Sequence, residues 1–373
     1  MIQTSDVVVL GAGVVGLMSA VDLAREGLSV TIVERRARGR EASRAAGGIL
    51  SSLRPWSLAP ELAALSDDSE ARYPAITREL KDATGIDPEW RRCGMLIVDS
   101  DQTVPARLWS DVTGKRVEIL DINASVTLEP AVRPGSTPAI RLPDVAQIRN
   151  PRLMDGLGRL AELHGVRFVE YAGACGLFVR HGRCDGVITD EGVVRGDRVI
   201  LSAGAWSGAL LARVGIDCPV APMRGQMIWY RVPRGTVEHI VIRDSYYLIP
   251  RNDGVLVVGS TAEEPGYSKA TASDMTRQLH YAAAEIVPQL DRTPVRGQWS
   301  GLKPWCPDGL PYIGAAPGVE RLYMCVGHYR NGMALAPASA RLLVDILLGR
   351  PTGIDPAPFD PRSRMAVAAL ADL

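Results

Sequence analysis

The sequence has little aromatic content, 5% with three phenylalanines, and its five histidines offer no obvious general base. Its six cysteines, at 93, 175, 184, 218, 306 and 325, show no paired short spacings. That argues against a zinc site and against a secreted disulfide framework, so no metal is expected and a reducing cytoplasm is the expected compartment. Charge of either sign is not in excess: 42 basic residues balance 42 acidic ones, which gives no electrostatic reason to expect nucleic acid or an anionic membrane surface. A long apolar run is missing too. The longest uncharged stretch near the N-terminus, 7–21, contains three glycines and falls short of the roughly 20 residues that span a bilayer, and it lacks the pattern of an export signal. With repeats and low-complexity tracts also absent, a small-molecule partner is the expectation.

What is present is length enough for two domains and a strong pattern at the start. Residues 6–10 read as a buried parallel strand, Val14, Leu17, Met18, Val21 and Ala24 then recur at helical spacing until Gly27, and 29–33 form the next strand. This is a βαβ unit. Strands at 166–171, 186–189 and 198–201 continue the sheet. Between 220 and 258 the pattern turns β-rich, with Pro233-Arg234-Gly235 and Asn252-Asp253-Gly254 as turns, which predicts antiparallel hairpins. Residues 322–326 are again a buried strand, and a helix follows over 334–348, where Pro337 is tolerable only in the first turn.

Gly11, Gly13 and Gly16 form G-x-G-x-x-G between strand and helix, where missing side chains let the backbone approach a pyrophosphate at the positive end of the helix. Glu34 ends the second strand, 18 residues past Gly16, where a carboxylate can accept from a ribose. A dinucleotide is therefore expected. Arg35, Arg36, Arg38, Arg40 and Arg44 could be read as a site for the extra phosphate of NADP, but Glu34 would repel it. A solvated loop face, with one or two arginines touching phosphates, fits better. The small-residue run G-R-E-A-S-R-A-A-G-G-I-L at 39–50 suits an extended ribityl chain and a flavin ring, and an ordinary NAD enzyme has no use for it.

With this run the chain resembles the glycine oxidase branch of the D-amino acid oxidase family of FAD-dependent oxidoreductases, and later landmarks follow in that family's order. Residues 200–207, I-L-S-A-G-A-W-S, are similar to the turn beneath FAD, and Arg224-Gly225-Gln226-Met227 to the opening of the substrate domain. Tyr246-Tyr247-Leu248-Ile249-Pro250-Arg251 resembles the strand that sets a tyrosine over the substrate, with Tyr247 the better match. Gly327-His328-Tyr329-Arg330-Asn331-Gly332 resembles the loop at the flavin edge. The implied fold is a discontinuous α/β FAD-binding Rossmann-like domain (1–90, 145–218 and 300–373) plus an α+β substrate domain with a largely antiparallel sheet (91–144 and 219–299). The implied FAD shell comprises Gly11, Gly13, Val14, Val15, Gly16, Glu34, Arg35, Ala42, Ser43, Gly47, Gly48, Ile49, Ala174, Ala203, Gly204, Trp206, Lys303, His328, Tyr329, Arg330, Asn331, Gly332 and Met333. Tyr247, Lys303 and Arg330 are the implied catalytic set.

One position departs from the family pattern. Glycine oxidases usually present arginine where this chain has Lys303, and a lysine offers one mobile point charge where arginine grips a carboxylate with two parallel bonds. The expected reaction is oxidative deamination of a small amino acid or related amine: hydride passes to flavin N5, an imine forms and hydrolyses to a carbonyl product, and O₂ becomes hydrogen peroxide. The alternatives are a dehydrogenase or flavin-binding subunit passing electrons to a partner, and an oxidase for an amine without an α-carboxylate. His328 is read as organising its loop. Cys306 sits too close to the Pro307-Asp308 turn to match the cysteine that tethers flavin in some relatives, so FAD is expected to be non-covalent. The family implies a homo-oligomer.

Overall fold

The computed structural model describes residues 4–173 and 175–365 and sets the valine run of the first strand, Ser5–Leu10, at the centre of an eight-stranded sheet. Leu322–Val326, Gly192–Leu201, Ser5–Leu10, Val30–Val33 and Arg167–Val169 lie side by side in parallel, with Tyr312–Ala315 antiparallel at one edge. Alternate side chains of the first strand serve two cores, which is why the run is apolar throughout. Val7 and Val9 join the helices Val14–Arg25, Asn150–Leu163 and Gly332–Leu347, whereas Val8 and Leu10 face Leu177, Val187 and Leu211 on the other side. The strands expected at 186–189 and 198–201 are the ends of a longer hairpin, Arg183–Thr189 with Gly192–Leu201.

A second eight-stranded sheet follows the order Gly297–Trp305, Ala221–Arg231, Val255–Gly259, Tyr246–Pro250, Ile240–Arg243, Met95–Val98, Ala139–Leu142, Glu118–Leu120. Its neighbours are antiparallel except Ile240–Arg243 beside Met95–Val98. Gly297–Trp305 crosses residue 300 while paired through nine registered positions with Ala221–Arg231, so Lys303 stands on this sheet opposite Met223. Where the sheets meet, a Cβ on Gly301 would lie 2.6 Å from that of Ala45, and Trp299 Nε1 donates to Ala45 O at 2.9 Å.

The expectation for Pro337 is corrected. The helix begins at Gly332, so the proline occupies its second turn. Proline donates no bond to the carbonyl four residues back, that of Met333, and the Tyr73 hydroxyl donates to that carbonyl instead. The next amide, Ala338 N–H, donates to Ser69 Oγ at 3.0 Å. Both partners stand on Pro60–Thr84, a helix whose buried face runs Leu62, Leu65, Ser69, Tyr73, Thr77, Leu80. Its spacing is helical, but polar Ser69 and Thr77 interrupt the apolar stripe. Among the described residues, no helix is long and apolar enough to cross a membrane.

Candidate active site

A cavity of about 360 Å³ is lined from both sheets. At one end it meets the backbone of the glycine loop. Gly11 has φ +112°, and a Cβ there would lie 2.5 Å from Ser202 O; one on Gly16 would lie 2.1 Å from Gly11 O. The first glycine thus allows the turn and the third lets helix pack on strand. Gly13 caps the helix without a side-chain bond, and Val14 N–H donates to Ser43 Oγ at 3.0 Å. Glu34 closes the loop, accepting from Ala12 N–H at 2.9 Å and Arg36 N–H at 3.2 Å, and burial raises its pKa. Each carboxylate oxygen keeps a lone pair for a ribose hydroxyl.

Beside it, the Arg35 guanidinium stacks 4.2 Å over the Trp206 ring, which itself stacks on Tyr267 at 5.8 Å. Glu41 pairs with Arg35 at 3.2 Å and with Lys269 at 2.8 Å. Tyr267 and Lys269 belong to the 260–272 loop, which therefore reaches from the second sheet to the nucleotide end. Arg38 is bound to Glu162 and Glu170, and Arg44 to Asp155, so these two arginines are occupied within the fold.

The loop after Leu322–Val326 forms the middle of the cavity. Tyr329 adopts a left-handed φ of +45°, uncommon for a side chain of this size, and its N–H donates to Pro304 O at 2.9 Å. His328 is buried, and burial pushes its pKa down to about 4, so the ring is neutral near pH 7. Arg330 is exposed at the cavity wall.

The far end is built on the second sheet. Tyr247 faces the cavity while Tyr246, one residue earlier, faces away and accepts from Gln278 Nε2 at 2.5 Å. Glycines make room: a Cβ on Gly259 would lie 2.7 Å from the Tyr247 hydroxyl, and one on Gly225 would lie 2.3 Å from Lys303 Nζ. Lys303 Nζ donates to Ser260 Oγ at 3.1 Å and to Thr261 O at 3.2 Å. Burial, reinforced by Arg330, pushes its pKa down to about 8, with Glu263 opposing. Among the described residues, neither Lys303 nor Arg330 has a carboxylate within ion-pair distance. Arg251, half-buried and pushed down to about 10 by desolvation, fixes the 47–49 turn through Gly47 O at 2.6 Å.

Of the residues expected around FAD, Gly11, Gly13, Val14, Val15, Glu34, Arg35, Ala42, Ser43, Gly47, Ala203, Gly204, Trp206, Lys303, His328, Tyr329, Arg330, Gly332 and Met333 line this cavity, as does Tyr247. Gly16, Gly48, Ile49 and Asn331 do not. Gly48, at φ +83°, turns the chain where a Cβ would meet Ile148 O at 2.1 Å; Ile49 bridges Gln147, and Asn331 caps the C-terminal helix. Ala174 lies outside the described residues. Gly225, Ser260, Glu41, Ser202 and Cys175 also line the cavity and had not been read as site residues. Gly225 lay within a quoted landmark, but Ser260 carries no local signature. Among the described residues, no group of three or more histidines, cysteines or acids could hold a metal.

The cradle of backbone at a helix start, an acceptor for ribose and an extended cleft of small residues fit a flavin dinucleotide. In comparison with known proteins, the DAO model, described as FAD dependent oxidoreductase, matches residues 6–346. The chain is 42% identical to a glycine oxidase of Pseudomonas aeruginosa, with 96% of this chain and 99% of that one covered. To a glycine oxidase of Pseudomonas putida it is 40% identical, with 97% and 100% covered. The crystal structure of glycine oxidase from Geobacillus kaustophilus superposes with a TM-score of 0.89 at 28% identity, covering 96% of this chain and 98% of that one.

Proposed function

The chain belongs to the DAO family of FAD-dependent oxidoreductases, and from that premise we propose that it oxidatively deaminates a small α-amino acid, as the glycine oxidases it resembles are named for doing with glycine. The observation that carries the substrate class is the unpaired Lys303 at the far end, beside Arg330 of the middle loop. An unpaired cation held in a partly desolvated site is costly unless a ligand supplies the counter-charge. Lysine has three ammonium donors, and the protein uses two of those on Lys303. The third is free for a substrate carboxylate, and Arg330 stands on the wall beside it.

FAD, when bound, supplies the acceptor for the substrate's α-hydride. The residues orient the other atoms: Lys303 and Arg330 hold the carboxylate, and the Tyr247 ring, seated over Gly259, closes the side of the cleft. The amine reacts as the free base, so no protein base is needed. The imine product hydrolyses to a carbonyl compound and ammonia, and O₂ takes up the electrons as hydrogen peroxide. FAD is held without a covalent bond: Cys306 Sγ lies 3.0 Å from Gly327 O, and its thiol is pushed up to about 12 by burial. We place the protein in the cytoplasm as a homo-oligomer, following the expectations from sequence.

The test is anaerobic mixing of the flavin-loaded protein with glycine, sarcosine, small D-amino acids and amines without a carboxylate. Bleaching of the flavin by the carboxylate-bearing amines is expected. Bleaching by the others alone would overturn the substrate class.

A further inference from the structure

The substrate end contains a carboxylate with no place in the reaction described above. Glu263, on the 260–272 loop, accepts from Arg224 Nη2 at 2.6 Å, from Gln226 Nε2 at 2.9 Å and from the Thr261 hydroxyl at 2.6 Å. Its backbone pairs both ways with Arg224, N–H to O at 3.0 and 2.8 Å. Burial works to raise its pKa, but the bonds from Arg224, Thr261 and Gln226 outweigh that and hold it below the ordinary value. The residue is therefore an anion at neutral pH. Three partners on one side chain also make it rigid.

What Glu263 makes rigid is the bracket of Lys303. Thr261 receives Gln226 N–H on its hydroxyl oxygen at 2.9 Å and donates a hydrogen bond from that hydroxyl to Glu263. With Thr261 so pinned, its carbonyl and the adjacent Ser260 hydroxyl point at Lys303 Nζ. The lysine reaches this bracket by crossing Gly225, where no Cβ obstructs Nζ or Cε.

We propose that Glu263 is the positioning residue for the carboxylate anchor: through Thr261 it aims the Lys303 ammonium into the cavity, and its negative charge counters the burial of that cation beside Arg330. This rests on the reading of Lys303 as the anchor. Lys303 is faced by Gly225 from the neighbouring strand, by Ser260, Thr261 and Glu263 from the loop and by Arg330 from the flavin edge, and Tyr247 lines the same cavity. Burial raises the Tyr247 pKa, so the phenol is uncharged near neutrality. Glu263 is thus the one anion among these groups, with Arg224 as its own partner.

The experiment uses the flavin-loaded protein and acetate, a carboxylate with no amine to oxidise, with acetamide as the neutral control. Binding is read from the perturbation of the flavin spectrum between pH 6 and 10. Glu263→Gln is expected to move the loss of acetate binding to lower pH; a displacement of about one unit weakens acetate ~5-fold at pH 8 and approaches ~10-fold above it. Acetamide binding should be unchanged, and Glu263→Asp should restore part of the shift. Equal weakening of acetate and acetamide at every pH, with no displacement of the profile, would make Glu263 a structural residue only and overturn the proposal. Lys303→Met separates the two claims. If it leaves acetate binding intact, the anchor reading falls and this proposal with it; if it abolishes acetate binding while Glu263→Gln leaves the profile in place, only this proposal falls.

Discussion

At the nucleotide end of the cavity the groups that meet a ligand are largely backbone, whereas at the far end they are side chains carried on strands. Both ends depend on missing Cβ atoms, but for different reasons. Gly11 and Gly16 bring main chain against main chain, with Ser202 O and Gly11 O as the atoms in the way. Gly225 and Gly259 instead clear a path for a neighbour's side chain, Lys303 and Tyr247 respectively. A backbone obstacle cannot swing aside. A side chain can, at the expense of its aim.

The same substitution at each end therefore sharpens the contrast. Gly11→Ala should have the largest effect: it combines φ +112° with a 2.5 Å approach to Ser202 O, and the purified protein should lack visible flavin absorbance or fail to fold. Gly225→Ala should leave the flavin spectrum in place while displacing Lys303. Loss of a charged hydrogen bond to substrate is worth about 1.5–3 kcal/mol, so kcat/KM for a carboxylate substrate should fall roughly 10- to 150-fold. A colourless Gly225→Ala protein would break the distinction between the two ends.

A pH profile tests the electrostatics of the far end. Lys303 carries its charge below a pKa of about 8, so kcat/KM for a carboxylate substrate should decline as pH rises through that value, a limb that Lys303→Arg should move upward. In the cavity's middle, His328 is held near pKa 4 and the unfolded ring binds its proton near 6.5. The unfolded state takes up more protons between these values, so stability should drop as pH falls from 6.5 toward 4, by on the order of 1–2 kcal/mol at pH 5. His328→Asn should flatten that part of a denaturation series. The smallest change in chemistry is Tyr73→Phe, which orphans Met333 O for about 1–3 kcal/mol and should lower the thermal midpoint with little change in the flavin spectrum.

The two ends also differ in how far the sequence disclosed them. The βαβ unit was legible because its signals are local: a buried strand, a helical period, three glycines and an acid at fixed spacing. Tyr247 and Lys303 were reached only through resemblance, since their strands, 56 positions apart, are set together by the two strands between them, and no period announces that. Ser260 and Glu263 lie on a loop and gave no signal. The helix Pro60–Thr84 escaped notice because Ser69 and Tyr73 spend their polarity on the Pro337 break, a partnership 260 residues long for Tyr73. Sequence pattern shows what a segment does for itself more readily than what it does for a distant one.

The 260–272 loop brackets Lys303 at its start and, through Tyr267 and Lys269, touches Trp206 and Glu41 at the nucleotide end. Two ligands that share a protein obey reciprocity: any factor by which bound flavin dinucleotide tightens a carboxylate is the factor by which that carboxylate tightens the dinucleotide. A loop in contact with both ends gives that factor a physical carrier, and a substrate-like anion that the bound dinucleotide tightens would then tighten the dinucleotide as well as occupy the site.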